Sequence, residues 1–436
     1  MDKKANGKAL LPILVFLVLY LGSGIYFEYL NPVEGGMGFY IMSVVVSFVI
    51  ALIVALVQNK DKTFDEKIHI CAQGIGDDNI TIMLFIFLVA GAFSGIAKAS
   101  GGADSTAYML LSIIPAKFAV PGLFIIACLI SMAMGTSVGT ITVLVPIASA
   151  VADTAGLNLP LCVATVVGGA MFGDNLSFVS DTTIAATKTQ GCAMKDKFRT
   201  NFKIAMPAAI VTLIILIALS AKGGAAQFEV GEFNVIQTLP YFIVLAAAIM
   251  GVNVFVALCA GVVLFLFTGL ITHSLTIASA FSAMGEGTSG MFETMIVAIL
   301  VAAIGALIKE NGGFAAIIAF INKTFKGTKG GMFGIGILVL LMDIATANNT
   351  VAIVLAGPIA KDVAEDYDID ARQSASLLDT FSCIGQGLIP YGAQLLIAAA
   401  TAGITSIQIM PYLFYQFALL IAVCISILLY KNKKTV

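Results

Sequence analysis

Apolar runs of about twenty residues recur from Ala9 to Leu429, and they leave little choice of fold. Roughly 20 residues is the helical length that crosses the hydrocarbon core of a bilayer. Hydrophobic residues make up 59% of the chain and charged residues 11%, against roughly 25% charged in soluble domains. The chain therefore reads as an all-α polytopic membrane protein. Spans are expected at 9–27, 37–58, 79–97, 159–190, 204–221, 239–251, 253–272, 290–308, 374–402 and 410–430. The first run continues to about Phe27, so it reads as a span rather than a cleaved signal. The net charge of −2 sits in loops and points to no nucleic-acid partner; membrane lipid and small ions are the expected ones. The seven cysteines form no CxxC and the two histidines are far apart, so neither a zinc site nor a cofactor is expected.

Within this apolar background one stretch stands out, Met171–Thr187. It carries Asp174, Asn175, Ser177, Ser180, Asp181, Thr182 and Thr183. Ionisable groups at membrane depth are costly and mark a pathway or a site. Asn, Ser and Asp also compete with helix hydrogen bonds, and Gly173 weakens the helix, so the span over 159–190 is read as broken. A broken helix offers free carbonyls and amides to ions. Pro390 predicts a second break within 374–402.

Two more apolar stretches, 119–153 and 331–366, are too long for single spans and have polar centres, Gly135–Thr140 and Ala345–Thr350. Each is expected to be a re-entrant hairpin whose tip is tolerated only against protein or a cavity. Gly135 and Gly139 also fit a helix-packing GxxxG, though the intervening Thr136 and Ser137 suit a tip better.

Four short matches recur in order between the two halves of the chain: Lys98 to Gly102 with Lys309 to Gly313, Pro146-Ile147-Ala148 with Pro358-Ile359-Ala360, Val151-Ala152-Asp153 with Val363-Ala364-Glu365, and Ile184-Ala185-Ala186 with Ile397-Ala398-Ala399. They lie 211–213 residues apart. Five spans per half make the repeats face opposite ways, a transporter architecture with its site where the halves meet. The first repeat is read as 1–221, the linker as 222–238 and the second repeat as 239–436. With both termini in the cytoplasm, twenty Lys and Arg fall inside, Lys197 among them, and three outside, as the positive-inside rule requires.

The candidate ion and substrate ligands are Asp174, Asn175, Ser177, Ser180, Asp181, Thr182, Thr136 and Ser137 from the first half. Asn348, Asn349, Thr350, Gln386 and Gln394 complete the set from the second. Hard cations prefer such oxygens, and Na⁺ is placed at Asp174 and Asp181. Burial favours the protonated carboxyl and a nearby cation the ionised one, which is the simplest chemistry for exchanging Na⁺ against H⁺. Asp174, Asp343 and Asp379 are the proton-carrier candidates. The helix resumes at Asp181, and a helix N-terminus favours an anion there. Asp181 is therefore expected to be the main Na⁺ ligand and Asp174 the proton carrier.

Gly173-Asp174, Ser177, Ser180-Asp181-Thr182-Thr183, Gly191-Cys192 and Arg199-Thr200 together resemble the signature of the NhaC-type Na⁺/H⁺ antiporters, as does the tip Gly135-Thr136-Ser137 with Gly139-Thr140. The resemblance implies a prokaryotic inner-membrane antiporter with inverted repeats and hairpins. It also implies a homodimer and an elevator-like movement. The chain departs from the pattern at Asn175 in place of His, Phe178 in place of Pro and Val138 in place of Trp. Related proteins handle amino acids or carboxylates, and the neutral amides would suit a small organic solute, so Na⁺-coupled solute transport is the second reading. An intramembrane aspartyl protease would need Gly where Met171 stands. A channel filter needs a ring of repeated subunits, which an inverted repeat does not supply.

Overall fold

The computed structural model describes residues 4–31, 41–113, 118–177, 180–222, 232–250 and 252–430. The start of the span expected from residue 37, most of the linker (223–231) and Phe178 lie outside them. The described elements are helical. The first half holds α1 (Leu11–Ile25), α2 (Val44–Val57), α3 (Phe64–Ile75), α4 (Asp78–Ala99), α5 (Gly102–Ile113), α6 (Ala119–Met134), α7 (Ser137–Ala155), α8 (Leu159–Leu176), α9 (Asp181–Gln190) and α10 (Met194–Lys222). The second holds α11 (Val235–Ile249), α12 (Val254–Ile271), α13 (Ile277–Gly290), α14 (Phe292–Glu310), α15 (Gly313–Thr324), α16 (Gly327–Thr346), α17 (Asn349–Asp366), α18 (Ala371–Leu388), α19 (Ala393–Ala402), α20 (Ser406–Ile409) and α21 (Phe414–Leu429). Among the described residues, nine helices are long and apolar enough to cross a membrane, or ten if the bent pair around Leu413 is one span. This is a multi-pass membrane protein.

Burial sorts the helices into a centre and a periphery. α8 is buried without interruption from Cys162 to Leu176, and α18 from Ser374 to Gly387. α10 and α12 instead expose apolar side chains at helical spacing, Ile210, Ile214 and Ile217 on one, Val256, Val263 and Phe267 on the other. Such one-sided apolar stripes form the outer surface of the helix bundle. The polar breaks therefore sit in the middle of the molecule.

Local chemistry sets the breaks. α8 starts on the Asn158 cap and runs through Gly173, contrary to the expectation that this glycine weakens it. Gly173 serves packing: a side chain there would come within 2.4 Å of Ser131 and Met132 on α6. The helix ends only at Ser177, whose backbone is extended, and resumes from Ser180. The first tip turns on Gly135 in the left-handed region (φ 69°), followed by Thr136 capping α7. The second turns on Ala347, also left-handed (φ 49°), followed by Asn348 capping α17.

Two expectations need correction. Residues 64–75 and 277–290, which the expected spans leave out almost entirely, are helices. Each opens on a capping box, Thr63 with Glu66 and Thr276 with Ser279. The Thr63-x-x-Glu66 spacing is a sequence signal for this that the hydropathy reading passed over. α10 begins at Met194 rather than near 204, so Lys197 lies in its first turns and is buried, not in a cytoplasmic loop.

Candidate functional site

Asp174 stands in the last turn of α8, 4% exposed. Ser137, at the start of α7, donates its hydroxyl to Oδ2 at 2.7 Å. Ser180, the residue before α9, donates to Oδ1 at 2.5 Å. Ser180 and Thr182 share a hydrogen bond of 2.7 Å. From the other half, the Gln394 amide donates to the Ser137 hydroxyl at 3.1 Å. The carboxylate is thus held by the first tip and the resumed helix, with the second half one bond away. Charge-assisted hydrogen bonds of this kind are about twice as strong as neutral ones.

This cluster faces a cavity of about 110 Å³. Its lining includes Thr136, Ser137, Asp174, Ser180, Asp181 and Thr182 from the first half, and Asn348, Asn349, Thr350, Gln386 and Gln394 from the second. Ile82, Met83 and Ile86 of α4 form an apolar wall that sequence reasoning did not foresee. Thr136 and Asn348 also cap their helices, accepting from Gly139 N at 3.3 Å and Val351 N at 3.0 Å. The Gln386 amide donates to Ala347 O at 2.8 Å and so braces the second tip. The side-chain oxygens of Gln386 and Gln394 are buried without a hydrogen-bond partner. Unpartnered buried acceptors are rare and call for a donor or a cation. Asp181, first residue of α9, is exposed at the edge of the cavity.

Two predicted ligands lie elsewhere. Ser177 is buried at the end of α8 and is not part of the lining. Asn175 follows Asp174 by one residue, about 100° round the helix, and turns away from the cavity toward α10 and α18. Its side chain accepts from Asn201 at 3.0 Å, and its backbone carbonyl accepts from Lys197 Nζ at 2.7 Å. Lys197 also donates to the Thr183 hydroxyl at 2.7 Å and forms an ion pair with Asp379 of α18. Asn201 donates to the same Asp379 oxygen at 3.1 Å. Lys197 and Asp379 are 1% and 0% exposed. Removing one partner of such a buried pair costs about 3–5 kcal/mol, because the other charge is stranded. Asp343, in the last turn of α16, is fully buried with no hydrogen-bond partner on either carboxylate oxygen; Ser382 is the neighbouring hydroxyl. Among the described residues no group of three or more His, Cys, Asp or Glu is placed to hold a metal.

A family model described as the Na⁺/H⁺ antiporter family matches residues 5–221 and 229–431. The chain belongs to this family. It is a transporter family, not one of enzymes. Among its relatives, the malate-2H⁺/Na⁺-lactate antiporter of Bacillus subtilis is 21% identical, over 92% of this chain and 90% of that protein. The Na⁺/H⁺ antiporter NhaC of the same organism is 22% identical, over 80% and 84%. The arginine/ornithine antiporter ArcD of Halobacterium salinarum is 23% identical, over 68% and 69%. A family of this kind moves small ions and solutes across a membrane, which suits a small oxygen-lined cavity in the centre of a helical membrane protein.

Proposed function

We propose that the protein is a Na⁺/H⁺ antiporter whose cation sits against Asp174. Further ligands are the hydroxyl oxygens of Ser137, Ser180 and Thr182 and the amide oxygens of Gln386 and Gln394. One carboxylate with neutral oxygens around it is the shell a hard monovalent cation prefers. The observation that carries this reading is the convergence of two hydroxyls from separate elements on Asp174 beside the cavity. The hydroxyls donate to the carboxylate when the cation is absent and turn their lone pairs to it when it enters. Na⁺ and H⁺ compete for the same group, so each leaves as the other binds. Asp343, buried without an ionic partner, is the second proton carrier. Asp379, paired with Lys197, is a fixed counter-charge and drops out of that role. Asp181 stands at the exposed edge of the cavity, so the role of main Na⁺ ligand expected of it passes to Asp174, which keeps its expected proton as well.

The cavity also bears on the second reading. Water occupies about 30 Å³ per molecule in the liquid, so about 110 Å³ holds a cation with a few waters. Pockets for organic ligands usually run to about 300–1,000 Å³, so the size favours an ion. The relatives named for malate and lactate or for arginine and ornithine, with the amides of Asn348 and Asn349, keep solute transport as the alternative. Purified protein in liposomes separates the two: an imposed Na⁺ gradient should change the internal pH with no organic solute present. A pH change that requires added carboxylate or amino acid sinks the antiport reading.

The site lies between two inverted repeats, 1–221 and 239–436. Several features support this. The left-handed residues Gly135 and Ala347, and Gly191 and Gly403, are each 212 residues apart. α3 packs on α14 while α13 packs on α4, and α2 packs on α14 while α12 packs on α4. Such reciprocal pairing follows from a pseudo-two-fold axis. Cysteines introduced at Lys195 and Lys326 should label from the cytoplasm and one at Lys222 from outside. Labelling of all three from one side sinks the topology.

A further inference from the structure

The break between α8 and α9 has two polar faces, and only one of them opens on the cavity. On the other, Lys197 Nζ is surrounded by oxygen: the Asn175 carbonyl at 2.7 Å, the Thr183 hydroxyl at 2.7 Å and the Asp379 carboxylate. The first belongs to the carbonyl end of α8, where unpaired backbone oxygens carry partial negative charge. The second comes from the start of α9 and the third from α18. Asn201 braces the group by donating to both Asn175 Oδ1 and Asp379 Oδ2. The other Asp379 oxygen and Asn201 Oδ1 are buried with no partner. A carboxylate, a helix-end carbonyl and a hydroxyl are what a broken helix offers an alkali ion. Here an ammonium tethered to α10 holds that place.

We propose that Lys197 is a resident cation. It fills a second oxygen cage of the same helix break, cancels the charge of Asp379 and keeps mobile alkali ions out of that face. A second cation beside the neutral Lys197–Asp379 pair would be an uncompensated charge in a low-dielectric interior. The mobile load is therefore confined to one site. That last step rests on the reading of Asp174 as the cation site; the cage itself does not.

The test is equilibrium binding of radioactive sodium to purified protein, with melting temperatures in sodium, potassium and choline chloride. Wild type should bind one Na⁺ per chain and Lys197→Ala two, or one Na⁺ and one K⁺ when both are present. Lys197→Ala should also melt higher in either alkali salt than in choline. Asp174→Asn/Lys197→Ala should retain one bound ion, the one in the vacated cage. Lys197→Ala/Asp379→Asn, neutral again, should fold and show no salt preference beyond that of wild type. A folded Lys197→Ala that binds no more alkali ion than wild type overturns the proposal. So does one that fails to fold in every salt while the neutral double variant folds, since no mobile ion then replaces the ammonium. The same salt preference in both variants overturns it too. Failure of the Asp174 reading has a different signature: Asp174→Asn alone keeps wild-type Na⁺ binding.

Discussion

The chain leaves helix between Leu176 and Asp181 and again between Leu388 and Ala393, and each gap faces a hairpin tip with a left-handed residue at its turn. Around the first gap stand Asp174, Asp181 and the Lys197–Asp379 pair. Around the second stand Gln386, Gln394 and Tyr391, whose hydroxyl donates to Ile344 O at 2.7 Å. Local backbone geometry is shared and charge is not. Backbone breaks are made by local rules and recur with the sequence pattern, whereas a buried charge survives only where partners are supplied to it. Tyr391 and Gln386 brace the second tip, and the first gap holds the charged side chains.

The largest effect should come from removing the charge that distinguishes the first gap. Asp174→Asn should raise the Na⁺ concentration for half-maximal transport by roughly 100-fold or abolish transport, since a charge-assisted contact is worth up to about 3 kcal/mol. The protein should still fold, because Asn keeps the shape and part of the hydrogen bonding. Initial rates in liposomes against Na⁺ measure this, and near-normal affinity would show that the two gaps are equivalent after all.

The tips give the next contrast. Gly135→Ala forces a side chain into the left-handed region and should lower stability by about 1–2 kcal/mol. Ala347→Gly relieves that strain but adds unfolded-state freedom worth roughly 0.5–1 kcal/mol, so it should be close to neutral. Thermal unfolding of both proteins checks the pair. Equal losses would mean that the tips are held by different forces.

Asp181→Asn should do less than Asp174→Asn or Gly135→Ala. An exposed carboxylate at the cavity edge contributes about 0–1 kcal/mol and is screened by salt. A Na⁺ affinity loss of within about fivefold, shrinking at high ionic strength, is expected. A loss as large as that of Asp174→Asn would restore Asp181 as the main ligand.

The smallest effect lies at the exposed caps of α3 and α13. The Thr63 backbone amide and then its hydroxyl donate to Glu66 at 2.7 and 3.0 Å and hold its carboxyl below the usual range. A group with a lowered pKa contributes stability above its unfolded value and loses it as pH falls through the folded one. The first turn of α3 should therefore fray in acid, and that of α13, capped by Ser279, should not. Amide exchange at residues 64–67 and 277–280 across that range reads the difference.

The sequence by itself determined that this is a helical membrane protein, where its tips and breaks fall, and the polar side chains of the cavity lining. These are local signals: apolar length, a left-handed glycine, a capping Thr or Asn, a proline. Tertiary structure alone decided which side of α8 each polar residue serves. Asp174 and Asn175 look alike as letters, yet one faces the cavity and the other faces α10 and α18. It alone decided that Lys197, a lysine among loop-like lysines, is buried. Its partner Asp379 is 182 residues away, and nothing local to either residue names the other. The rotation of a central helix is set by every neighbour that packs on it. A buried charge is tolerated only after those neighbours have brought the opposite charge to it.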